Sequence, residues 1–152
     1  MATRIHSAAV PKVIELEVEG AIGRFTLLEA WAPRLTAAIW DSLPTSGKLV
    51  HGRLSGDVAL FAVRSERFAE LPADPEMAVT SIYKGYMVCN VFPAMGLMDL
   101  TISYGIAEYR RATGIAYTTP VGRIEGDGEA FLKVVQRTRR EGEKPIEARR
   151  VT

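Results

Sequence analysis

Residues 12–20 read "KVIELEVEG". Ile14, Leu16 and Val18 fall on one side of this run and Glu15, Glu17 and Glu19 on the other, the period-two alternation of a half-buried strand. The glycines of "EGAIGRF" supply a turn and "RFTLLEAW" returns, so the segment reads as a β-hairpin. The period changes at residues 32–44, "APRLTAAIWDSLP". There Leu35, Ala38, Ile39 and Leu43 share one helical face. Pro33 suits the first helical turn, where its missing N–H is not needed, and Pro44 ends the helix, because the residue before a proline avoids the α region.

Further strands follow. "KLVHGRL" and "DVALFAVRS" read as two strands joined at Ser55 and Gly56, the second apolar on both faces. The two prolines and several charges of "ERFAELPADPEMAV" mark a loop. "GYMVCNVFP" is a strand ended by Pro93, and "LMDLTISYG" pairs back onto it. Leu97, Asp99, Thr101 and Ser103 share one face of that return strand, opposite Met98, Leu100, Ile102 and Tyr104. "IAEYRRATGIAYTTP" reads as a helical turn or a loop rim. "VGRIEG" is a short strand, "DGEAFLKVVQRTRREG" a helix with Phe131, Leu132, Val135 and Thr138 in its apolar stripe, and "KPIEARRV" a final strand. About eight short strands with turn signals point to a barrel or a sandwich. One early and one late helix are placed to plug the ends of a closed barrel.

The 152 residues fit one domain, with an N-terminal arm over 1–11 and the barrel over 12–152. A chain of this size buries about 68–70% of its unfolded surface and needs no disulfide or metal to fold. Its single cysteine, Cys89, sits in an apolar run and fits a reducing compartment. Nineteen basic against eighteen acidic residues leave a net charge of +1, no electrostatic footprint for nucleic acid. The start is too short and polar for a signal peptide, and no run approaches the roughly 20 apolar residues of a membrane span. The expectation is therefore a cytoplasmic protein without nucleic-acid or membrane partners. His6, His51 and Cys89 give no zinc-ligand spacing. There is no Gly-x-Ser-x-Gly elbow and no glycine-rich phosphate loop, so no cofactor is expected.

Several pieces, in order, resemble the cyclophilins. Ala32-Pro33-Arg34, with Thr36 and Trp40, is similar to the family's Ala-Pro-Lys-Thr opening and its aromatic. "VHGRLSG" resembles its Phe-His-Arg stretch with one glycine inserted. "VGRIEGDGEAFLKV" is similar to its Phe-Gly-x-Val-x-x-Gly segment, and "GEKPIEARRV" to its last strand. The pieces span most of residues 12–151. "KGYMVCNVFPAMGLMDLTISYG" also resembles, at Tyr86, Pro93, Tyr104 and Gly105, the small bacterial cyclophilin-like barrels of unassigned function. The resemblance implies a mainly β fold, a closed cyclophilin-like barrel with two capping helices, and a groove on its wall. It places Arg53 where the family aims an arginine at a prolyl nitrogen. Asp99 stands where the family has glutamine, Leu100 where it has the pocket phenylalanine, and Thr118 where it has histidine. Most of the proline pocket is thus not carried over.

The site expected from these residues joins His51, Arg53, Tyr86, Asp99, Thr101 and Tyr104 in one groove. Arg53 would anchor a carboxylate or carbonyl through its planar fork of donors, and His51 would exchange a proton near neutral pH. The partner would be a small carboxylate- or amide-bearing ligand or a short peptide. Peptidyl-prolyl isomerisation is the enzymatic alternative. The third reading is a structural subunit of a homo-oligomer, favoured by Trp31, Phe68 and Met95 if they lie outside the core.

Overall fold

A computed structural model describes residues 9–152. Most of the arm expected over 1–11 lies outside the described residues, and residues 9–12 carry no regular structure. β1 (Val13–Val18) and β2 (Ala21–Leu27) form the hairpin. It turns through Glu19 and Gly20, both at positive φ, where glycine carries no steric penalty. α1 (Pro33–Ser42) follows, then β3 (Thr45–His51) and β4 (Gly56–Arg64). After a 3-10 turn at Glu66–Glu70 come β5 (Ser81–Ile82), β6 (Tyr86–Phe92) and β7 (Leu97–Glu108). β8 (Arg110–Arg111), β9 (Gly114–Ile115), β10 (Thr119–Ile124), α2 (Glu129–Glu141) and β11 (Lys144–Arg150) complete the chain.

Eight strands pair antiparallel in the order β4-β3-β11-β1-β2-β10-β6-β7, and β7 pairs back onto β4. The sheet is a closed barrel, the fold class the sequence predicts. Ile14, Leu16, Phe25, Leu49, Phe61, Met87, Leu100 and Ile102 fill its interior. A second, smaller cluster of Val58, Ile82, Val88, Ala107 and Tyr109 lies on the outer wall.

The two helices cover opposite ends. Residues 34 and 35 of α1 take their N-terminal capping from 41–42 residues further on. Glu76 accepts the backbone N–H groups of Arg34 (2.9 Å) and Leu35 (3.0 Å), which have no intrahelical partner. At the other side of α1, Arg150 Nε donates to the Trp40 carbonyl at 2.8 Å, tying the helix to the end of β11. α2 lies over the β1–β2 turn, where Arg137 meets Glu19 at 3.0 Å. Lys144, almost fully buried, joins the same Glu19 to Glu141 at 2.6 and 2.5 Å. Phe131 of α2 meets Phe25 edge to face at 5.9 Å and packs closely against Gly23.

Three expectations change. Residues 106–120 contain no helical turn: β7 runs on to Glu108 and the β8–β9 hairpin follows. Alternation of Ile106, exposed, with Ala107, buried, continues the strand past the point where "SYG" suggested an end. Phe68 is fully buried rather than outside the core, because the 3-10 turn after β4 points it inward. Ala62 of β4 faces solvent, so that strand is not covered on both sides along its whole length.

A Cβ added at Gly23 would stand 2.6 Å from Phe131 Cδ1. Gly23→Ala is therefore expected to destabilise the fold by about 1–3 kcal/mol through overpacking, measured by urea unfolding.

Candidate functional site

A cavity of about 500 Å3 opens at the α1 end of the barrel. Leu35 of α1, residues 73–75, the last residues of β6, the turn at Pro93–Met95, Arg111, Tyr117 and Thr119 line it. The tie from Glu76 to α1 holds residues 73–75 in place as one wall. Along β6, Met87, Cys89 and Val91 face the core, so Val88 and Asn90 face the outer wall. Asn90 is 5% exposed. A buried amide needs partners, and Asp99, directly across on β7, provides one: Asn90 Nδ2 donates to Asp99 Oδ1 at 2.9 Å.

Asp99 keeps some exposed area, but protein packed round its carboxyl raises its pKa above the usual aspartate value of 3.8. Hydrogen bonds from the Asn90 side chain and backbone, and the charge of Arg111, oppose that rise. Arg111 projects from the β8–β9 hairpin onto the cavity's rim. Its guanidinium lies 5.8 Å from the ring centres of both Phe92 and Tyr109, and Nε donates to Tyr109 Oη at 3.2 Å. Among the described residues it has no carboxylate within ion-pair distance, whereas its neighbour Arg110 pairs with Glu108. Thr119, 1% exposed, contributes a buried hydroxyl with no hydrogen-bond partner among the described residues.

A second cleft, about 520 Å3, lies at the α2 end and is lined by His51, Gly52, Arg53, Gly56, Asp57 and Arg139. His51 Nε2 and the hydroxyl of Tyr104 are 2.7 Å apart. Tyr104 is buried, which raises its pKa; Asp57 adds to the rise and Arg139 opposes it. Asp57 Oδ2 accepts the Ile106 N–H at 3.1 Å.

The six residues expected in one groove therefore divide. His51, Arg53 and Tyr104 come together at the α2 end. Asp99 lies toward the α1 end, beside Asn90. It is five residues from Tyr104, roughly 17 Å along the strand, and an odd spacing puts the two on opposite faces. Tyr86 lies on the outer wall beside an apolar pocket of about 220 Å3 lined by Trp31, Tyr83, Val88 and Pro120, with Arg123 over its ring at 5.8 Å. Thr101 is buried in the wall between Leu60 and Val88. The sequence reading singles out neither Asn90 nor Thr119, and of the two roles open to the run Tyr109 to Arg111, gating the groove or lying in water, it favours water. Asn90 was the legible one, a lone amide within the apolar run "YMVCNVF".

Residues 14–148 match the model of a family described as a protein of unknown function, DUF3830. The chain belongs to that family. No curated protein matches this DUF3830 chain. Among solved structures it is similar to McbB, described in complex with tryptophan, with a TM-score of 0.70 and 20% identity over 91% of this chain. The match covers 46% of McbB, so the chain spans about half of that protein's length. It is also similar to the hypothetical protein AF2241 from Archaeoglobus fulgidus, with a TM-score of 0.60, 16% identity, 97% of this chain and 100% of that one covered. At these identities the likeness is one of fold.

Two outcomes are expected of the cavity's buried polar groups. Thr119→Val removes an unpartnered hydroxyl at nearly constant shape and should raise the unfolding free energy by about 1 kcal/mol. Because the Asp99 pKa is higher in the folded state than in the unfolded one, the folded protein holds the extra proton. Its contribution to stability is greatest at low pH and falls as pH rises from 3.8 through the folded value. Asp99→Asn lacks this term. The stability of Asp99→Asn minus that of the wild type should therefore rise across that window and then level, as read by urea unfolding at a series of pH values.

Proposed function

We propose that this protein is a small-molecule-binding barrel of the cyclophilin-like kind, and that its ligand carries a carboxylate or amide oxygen held by Arg111. The observation that carries the reading is the state of that arginine. A guanidinium 5.8 Å from two aromatic ring centres, with no carboxylate within ion-pair distance among the described residues, stands at the rim of a cavity with apolar walls. Ligand sites combine such walls with a few aimed polar groups, and Asn90 supplies a second one, oriented by Asp99. The Asn90 Oδ1 is left as an acceptor by the bond that Nδ2 makes. McbB, described in complex with tryptophan, agrees in chemical class: an aromatic body with a carboxylate.

This reading moves the anchor from Arg53 to Arg111. The cleft at Arg53 has no apolar side chain among its lining residues, so a proline ring would find no pocket beside that arginine. That speaks against the isomerase alternative.

The test is calorimetric titration with tryptophan and with aromatic carboxylates lacking the amino group. At least one should bind the wild type, and Arg111→Ala should weaken it by about tenfold to a hundredfold, the loss of a charged hydrogen bond of about 1.5–3 kcal/mol. An unchanged affinity in Arg111→Ala, or no binding by any of these compounds, overturns the assignment.

A further inference from the structure

We infer that the cleft at the α2 end is a separate binding site for a tetrahedral oxyanion, phosphate or a phosphate monoester. The inference is independent of the carboxylate site, which lies at the other end of the barrel.

Three donors converge on this cleft from three elements. His51 ends β3, Arg53 follows it in the bend, and Arg139 comes from the last turn of α2. Neither arginine has a carboxylate within ion-pair distance among the described residues, whereas Arg137 of the same helix as Arg139 is paired with Glu19. Asp57 also lines the cleft and is its one acid. It is engaged elsewhere: Oδ2 accepts from Ile106, and the carboxyl packs so closely over Gly105 that a Cβ there would meet it. The cleft therefore keeps an excess of positive charge without counting His51.

The imidazole is oriented by its bond to Tyr104. That bond uses Nε2 and leaves Nδ1 as the ring nitrogen available to a ligand. An imidazolium, or the neutral tautomer protonated on Nδ1, donates from there. Guanidinium forks match the oxygen spacing of phosphate. Donors from three directions suit a tetrahedral anion better than a planar carboxylate, and the polar, open cleft suits a headgroup rather than an apolar body.

The experiment is titration of the full chain with inorganic phosphate and with glycerol 3-phosphate, followed by calorimetry and by the His51 imidazole NMR signals, with sodium chloride at matched ionic strength as control. Saturable binding of either phosphate, beyond any effect of chloride, is expected. Arg53→Gln and Arg139→Gln, both at exposed positions that tolerate glutamine, should each weaken it by at least about tenfold, and Arg111→Ala should leave it unchanged. Tighter binding of the ester identifies an esterified ligand, and tighter binding of inorganic phosphate a free anion. Equal responses to phosphate and chloride, or wild-type affinity in both glutamine variants, overturn the proposal.

Discussion

The pairing of β4 with β7 is the constraint on which the rest of the molecule depends. It runs from Gly56 opposite Ala107 to Arg64 opposite Leu97 and turns an open sheet into a barrel. Closure leaves none of the eight strands with an unpaired edge. It also divides every strand into residues that must pack inside and residues that form the wall. The interior then has no room for a ligand: Phe61, Met98, Leu100 and Ile102 fill it. Binding chemistry is displaced to the ends of the barrel and to its outer face.

Strand β7 shows how one segment serves both ends. Its outward row carries Asp99, which orients Asn90 beside one cavity. Its inward row ends in Tyr104, which orients His51 beside the other. In each place one side chain aligns the other by a hydrogen bond, and an arginine from a separate element supplies charge: Arg111 from the β8–β9 hairpin and Arg139 from α2. The two arginines differ in setting. Arg111 lies against aromatic rings, as suits recognition of a ligand with an apolar body. Arg53 and Arg139 flank a polar opening.

Much of this was legible in the sequence because the alternation of β1, β7 and β11 is regular and the helices are delimited by Pro33, Pro44 and glycines. The division of β7 into two faces was legible too, and it already separated Asp99 from Tyr104. What the sequence could not supply was distance along a rolled sheet. Residues in one strand look adjacent on paper, and the resemblance to a groove-bearing fold drew them to one point. Arg111 was misjudged for a related reason. In "YRRATG" it is one of two like arginines, and only the hairpin's twist pairs Arg110 with Glu108 while leaving Arg111 over Phe92. The β7 extension to Glu108 was hidden by Gly105, which reads as a turn and is instead the place where the Asp57 carboxyl packs against the backbone.

Cys89 is the chain's one cysteine, 2% exposed and held as the neutral thiol by its surroundings. Only thiolates react readily with alkylating reagents, so toward maleimides the native fold behaves as though it contained no sulfhydryl. A cysteine engineered at an exposed position such as Met95, on the rim of the α1-end cavity, would carry a fluorophore or spin label at a single address. The barrel comes already suited to spectroscopic reporting, with no background residue to remove.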